Sequence, residues 1–199
     1  MSEYALRGGL QPDVSAVTAV LTHHGVEGPD GQAPGEALVF AVSGGIGAGY
    51  ILWDFAHETM STIVFGFRAR WQYPQEWLKS TVDRLGLAVD IHTTGGKRAA
   101  AKRLSANLEA GRPSIVLPDR ESLGYWRLPP ELSGGGGHFV VAYGEEDGRV
   151  LVDDRNLARS RSTGRRSTPR VAASARTRTC SPRSSPATSP TGGRPYATG

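Results

Sequence analysis

One histidine stands out chemically, because a run of four glycines leads into it. His138 follows Gly134–Gly137 and begins an apolar segment of strand-like composition. The segments 138–144 and 149–153 predict a hairpin, with a turn at 146–148. A hairpin places the first residue of one strand beside the last residue of the next, so His138 should lie beside Asp153 or Asp154.

A carboxylate at that position would hold the imidazole in one tautomer and prepare it to act as a general base. We therefore assign His138 and Asp153 as candidate catalytic residues. The alternative is a histidine at a strand start beside a turn aspartate, with no catalytic role.

The glycine-rich segment Gly44–Gly49 invites comparison with a nucleotide-binding loop. Gly45 and Gly47 fit the first two positions of a dinucleotide fingerprint, but Tyr50 occupies the position of the third glycine. The residues that follow are typical of a strand and not of the helix which that motif requires. We interpret the segment as a tight passage of the chain against the core.

A metal centre or disulfide framework is not expected. Cys180 is the single cysteine of the chain, so no disulfide bond can form within the chain. The remaining histidines have no metal-ligand spacing; they are His23, His24, His57 and His92. No metal and no cofactor are predicted.

The elements that must position His138 alternate between helices and strands. Helices are predicted over 13–24, 74–85 and 97–110, and strands over 51–55, 62–67, 87–92, 114–118, 138–144 and 149–153. The order predicts an α+β fold, with an N-terminal helix packed on a late antiparallel sheet.

Several side chains have predicted positions. In the helix over 97–110 we expect Ala99, Leu104 and Leu108 to face inward. The segment Tyr125–Pro130 is predicted to lie over the site, with the following glycines as its hinge. Aromatic residues should dominate the core or line the cleft, and they are Trp53, Phe55, Phe65, Trp71, Trp77 and Phe139.

Charge divides the chain near residue 154. Residues 155–199 contain ten arginines and no other charged side chain, so the first 154 residues carry a net charge of −6. We predict a folded body over 1–154 and a disordered tail over 155–199. The tail is either a basic arm for an anionic partner or the product of a frameshift. The acidic body gives no reason to expect nucleic-acid binding.

No signal peptide is visible at the N-terminus, and no apolar run approaches the length that spans a bilayer. The sequence therefore predicts a cytoplasmic protein without a membrane segment.

Three segments resemble the N-terminal domain of the butirosin biosynthesis protein H family. They are the helix Ser15–Gly25, the segment Gly35–Tyr50 with its glycines, and the Gly137–Gly144 run. The resemblance covers roughly residues 7–154. It implies a papain-like fold related to bacteriocin-processing cysteine peptidases. It also implies transfer of an acyl group from an acyl carrier protein thioester to a small-molecule amine, with a cysteine nucleophile and a histidine base.

The family pattern departs from this chain at the nucleophile. The cysteine of that pattern falls on Pro12, which has neither a thiol nor an N–H. The resemblance implies that His138 faces the cleft at this helix start. Gln11 and Ser15 become the candidate substrate-binding residues, and we expect Ser15 on the helix surface and not as a displaced nucleophile.

Two functions remain open. The chain is either an acyltransferase-like protein of secondary metabolism that uses His138 as a base, or a catalytically inactive binding or accessory module of such a pathway. Relatives carry a further C-terminal region, and if that region completes the site, this chain is a nonfunctional fragment.

Overall fold

A computed structural model describes residues 3–45, 47, 49–54, 60–67, 74–93, 96–132, 134, 137–156, 160–161 and 174–177. Within these residues four α-helices accompany short antiparallel sheets. The helices are α1 Pro12–His23, α2 Glu36–Val42, α3 Pro74–Arg84 and α4 Lys97–Glu109. The strands are β1 Gly49–Asp54, β2 Ser61–Phe67, β3 Val89–His92, β4 Ser114–Val116, β5 Val140–Glu146, β6 Arg149–Asp153, β7 Ser160–Arg161 and β8 Ser174–Thr177. The expected mixture of helices with antiparallel strands is confirmed.

Helix α1 forms the centre of the core. Pro12 begins it with a backbone angle already suited to a helix, and Gly25 follows its end at a φ of +65°. Every residue from Val14 to Leu21 is buried. A helix buried on all sides packs inside a domain and not on its surface, so α1 anchors the elements around it.

The main sheet has the order β4-β5-β6-β7, with every neighbouring pair antiparallel. Ile115 and Val141 join the cluster around α1, whereas Val116 and Val140 join the cluster around α4. Because successive strand residues point to opposite faces, the two helices cover opposite faces of one sheet.

The predicted hairpin is the β5–β6 pair. Asp147 and Gly148 form its turn with φ angles of +52° and +69°, as a tight two-residue hairpin turn requires. The register places Val141 opposite Asp153. The hairpin therefore brings the residues before β5 close to the residues after β6.

Some packing predictions need correction. On α4 the prediction holds for Leu104, which is buried, and for Leu108, which is half-buried against the same cluster. It is wrong for Ala99, which is exposed, whereas Ala100 is buried because it lies one turn before Leu104 on the same helical face. Among the aromatic residues, Trp77 is buried and Phe139 packs against the core. Phe65 is 71% exposed, contrary to expectation. Phe55, Trp71 and the side chain of Trp53 lie outside the described residues.

The glycine segment behaves as a tight passage. A Cβ added to Gly45 would lie 2.5 Å from the carbonyl oxygen of Phe40, so only glycine fits there without a shift.

Most of the tail, including Cys180, lies outside the described residues. Two short segments of the tail form strands: β7 pairs with β6, and β8 pairs with β3. None of the described helices combines the length and apolarity needed to cross a membrane.

Candidate functional site

His138 is held at the entrance of β5 by backbone contacts. Its N–H donates to the carbonyl oxygen of Pro118 at 2.9 Å. The preceding Gly137 passes so close to Leu117 that an added Cβ would lie 2.5 Å from the Leu117 Cγ atom. The glycine before His138 thus lets the chain lie against Leu117, and the imidazole is 4% exposed.

The partner of the imidazole is Asp154. Its Oδ1 atom lies 2.7 Å from His138 Nε2. The remaining contacts also come from donors: Tyr125 Oη donates to Oδ2 at 2.8 Å, and Trp126 Nε1 donates to Oδ2 at 3.4 Å. Arg155 Nε donates to Oδ1 at 3.4 Å. Four donors converge on one buried carboxylate, which favours its charged form.

The electrostatics of this cluster support an ionised Asp154. Burial raises the pKa of its carboxyl, but the hydrogen bonds from His138 and Tyr125 and the nearby positive charge of Arg155 outweigh burial, and the net pKa is lowered. The pKa of Tyr125 is raised, first by burial and then by its bond to Asp154. An ionised carboxylate only accepts hydrogen bonds, so His138 donates from Nε2. In the neutral tautomer that fits this contact, Nδ1 is the nitrogen without a proton.

The assignment of Asp153 as the histidine's partner is corrected by this geometry. Asp153 Oδ2 accepts the hydroxyl of Tyr4 at 2.8 Å, and its Oδ1 accepts the N–H of Arg155 at 3.1 Å. Burial raises the pKa of Asp153, and the Tyr4 hydrogen bond offsets part of that increase. Adjacent residues at a strand end point to opposite sides, so only one of the two aspartates can reach His138.

The start of α1 differs from expectation in one respect. Ser15 is buried and not on the surface, and its hydroxyl donates to Glu36 at the first turn of α2. Glu36 also accepts the N–H of Leu10 at 3.1 Å. Gln11 precedes α1, is exposed, and offers its carbonyl oxygen to the N–H of Ser15 at 2.8 Å.

A small cavity lies beside this helix start. Its volume is about 10 Å³, which is room for roughly one water molecule. Pro12 and Ser15 line it from α1, Phe139 from the start of β5, and Asp153 and Arg155 from the end of β6. Phe139, and not its neighbour His138, therefore faces the helix start. The expected position of His138 in the cleft beside Pro12 is corrected, since the imidazole lies against Asp154 and Trp126 instead.

Arg155 connects the start of α1 to the His138–Asp154 pair. Its Nη1 donates to the carbonyl oxygen of Leu10 at 3.1 Å, while its Nε contacts Asp154. Its backbone has a φ of +62°, unusual for a residue with a side chain. The segment before α1 is thereby attached to the carboxylate that holds His138.

Three contributing residues had no site role in the sequence prediction: Tyr4, Glu36 and Arg155. Asp154 was named there as the alternative neighbour of His138. The sequence predicted that the segment Tyr125–Pro130 covers the site, but not which of its residues contact Asp154. Tyr125 and Trp126 do lie over Asp154, and the Trp126 ring lies 5.0 Å from the His138 ring, edge to face. Within the described residues no three His, Cys, Asp or Glu side chains are grouped as a metal site would need.

Taken together, the fold and site define a mixed α/β domain with a buried histidine–aspartate pair at the end of an antiparallel hairpin. The family model described as butirosin biosynthesis protein H, N-terminal, matches residues 11–155. The chain belongs to this family, which is named after a protein of butirosin biosynthesis. No curated protein and no solved structure matches the chain.

Proposed function

We propose that this protein transfers an acyl group from a thioester to an amine in secondary-metabolite biosynthesis, with His138 as the general base. The observation that carries the proposal is the 2.7 Å contact between His138 Nε2 and the buried Asp154 Oδ1. A base whose distal nitrogen is held by an ionised carboxylate has its other nitrogen ready to take a proton. Family membership supports the pathway class.

The proposed reaction has no covalent enzyme intermediate. The amine nitrogen attacks the thioester carbonyl carbon while Nδ1 of His138 takes the proton that the amine loses. The tetrahedral intermediate then breaks its C–S bond, and the departing thiolate takes the proton back from the imidazolium. The products are an amide and a free thiol, and Asp154 stays ionised throughout.

Pro12 is the reason for direct transfer. It stands where the family pattern has a nucleophile, and the nearby hydroxyl of Ser15 is already bonded to Glu36. We place the chain in a papain-like arrangement on the support of α1, which packs on the same sheet that carries His138. The donor in this proposal is a carrier-protein thioester, and the acceptor is a small amine.

Access to His138 requires movement of its cover. Tyr125 and Trp126 shield Asp154, and the cavity at Pro12 is too small for a substrate. Gly124, with a φ of +67°, directly precedes the covering residues. We propose that the segment from Gly124 moves outward when a thioester binds.

The test uses an acyl-N-acetylcysteamine thioester with excess primary amine, and it measures free thiol. We expect His138→Ala to lower the rate about 10²–10⁴-fold, the usual contribution of a positioned base. His24→Ala, which removes a histidine at the end of α1, is the matched control and should leave the rate unchanged. An unchanged rate in His138→Ala would remove the base role.

A second candidate function is a binding module without catalysis. The observation that favours it is Pro12, since the chain lacks the nucleophile of its family pattern. In this case the thioester would raise the melting temperature of the protein without being consumed. Thioester consumption that His138→Ala abolishes would exclude this candidate.

A further inference from the structure

The β1–β2 hairpin presents an unusual apolar surface. Tyr50 pairs with Phe65 and Leu52 pairs with Ile63 across the two strands. Alternate residues of a strand share a face, so these four side chains lie together. Their exposed fractions are 70%, 71%, 60% and 49% in that order. We call these four residues the hairpin face.

The hairpin face has no cover from the described part of the chain. Neither β1 nor β2 packs extensively against any other described helix or strand. A two-stranded hairpin is at best marginally stable alone in water. An exposed apolar surface of this kind commonly marks an interaction site.

The size of the hairpin face points to a protein partner. With two aromatic and two aliphatic side chains exposed to these fractions, it presents on the order of 500 Å². Met60, which directly precedes β2 in the chain, is also 60% exposed. A stable interface buries about 800 Å² per partner, so the hairpin face supplies more than half of that area as apolar core.

We propose that a second copy of this chain covers the hairpin face in a two-fold symmetric dimer. A two-fold interface needs a surface complementary to itself, and the hairpin face contains no charge that its copy would repel. Asp54 lies beyond the four residues, where it accepts a hydrogen bond from Ser61 at 3.0 Å. An aromatic and aliphatic centre with a polar edge is the usual composition of such interfaces.

The test measures the mass of the full chain by sedimentation velocity from 1 to 100 µM. We expect a discrete dimer, and at least about 10-fold weaker association in the double variant Leu52→Thr/Phe65→Thr. The control is Leu132→Thr, since Leu132 is an exposed leucine outside the hairpin. Thermal melting verifies that each variant folds.

Cross-linking gives an independent measurement. In a Cys180→Ser background, oxidation should join two copies through Leu52→Cys faster than through Leu132→Cys. A monomer at 100 µM would overturn the proposal, as would open-ended aggregation or a dimer that the double variant leaves intact. The proposal would also be overturned if the double variant, as a monomer, melted at a much lower temperature. That result would mean that the hairpin face is covered within one chain.

Discussion

Asp154→Asn tests the site most sharply, because it changes charge while keeping shape. The described hydrogen-bond partners of this carboxylate are all donors: His138 and Arg155 at Oδ1, Tyr125 and Trp126 at Oδ2. An asparagine must turn its NH₂ group toward one pair. The imidazole of His138 and the hydroxyl of Tyr125 can each switch from donor to acceptor, whereas Arg155 and Trp126 only donate. With the NH₂ group toward His138, the ring proton moves to Nδ1. With the NH₂ group toward Tyr125, the ring keeps its tautomer but loses the negative charge that stabilises its protonated form.

Both orientations weaken the base. With Nδ1 protonated, the basic nitrogen is lost, and without the carboxylate charge the imidazolium is no longer stabilised, so the rate should fall by up to about 10²–10⁴-fold although the ring stays in place. Stability should fall by about 2–3 kcal/mol, because hydrogen bonds to a buried charge become neutral ones.

The stability difference depends on pH in a defined direction. The pKa of Asp154 in the folded protein is below its ordinary value of 3.8. Its charge therefore stabilises the fold above that value, and the contribution is lost as pH falls through the lowered pKa. Asp154→Asn lacks this charge, so the free energies of unfolding of the wild-type protein and the variant should approach each other in acid.

The assay combines thiol release with ¹⁵N NMR of the histidine rings, which reports the tautomer. Asp153→Asn is the matched control, since Asp153 binds Tyr4 and not His138; it should keep both the rate and the tautomer. The reasoning is refuted if Asp154→Asn retains full activity, or if Asp153→Asn loses more activity than Asp154→Asn does.

Two further predictions concern stability. Tyr4→Phe removes the donor to Asp153; the cost should be about 1–3 kcal/mol at pH 7. Because burial holds the pKa of Asp153 above its ordinary value, that loss should grow as pH rises through this pKa, and equal losses at pH 3 and pH 7 in urea titrations would contradict it. Gly45→Ala forces a Cβ against the Phe40 carbonyl oxygen and should cost about 1–3 kcal/mol. The Cβ of Gly47→Ala would lie 3.2 Å from its nearest atom, so this variant should lower the melting temperature less than Gly45→Ala does.

The order of elements was predictable because local patterns carry it. Apolar spacing with Pro12 and Gly25 at its ends defines α1, and the glycine turn defines the β5–β6 hairpin. The hairpin also predicts that an aspartate lies beside His138. These features depend on residues close together in the chain.

Phe65 and Ser15 show where such patterns stop. An aromatic strand residue and a helix serine have typical environments, but their burial depends on which distant element packs on them. Ser15 is buried because α2 brings Glu36 to it, and Phe65 is exposed because no described helix or strand packs extensively on its hairpin.

By itself, the sequence determined the helix, the hairpin and the proximity of a histidine to a pair of aspartates, since chain periodicity encodes all three. Only the tertiary structure decided which aspartate binds His138, because the direction of a side chain at a strand end depends on long-range partners. Tyr125 and Trp126 draw Asp154 to one side, and Tyr4 holds Asp153 on the other.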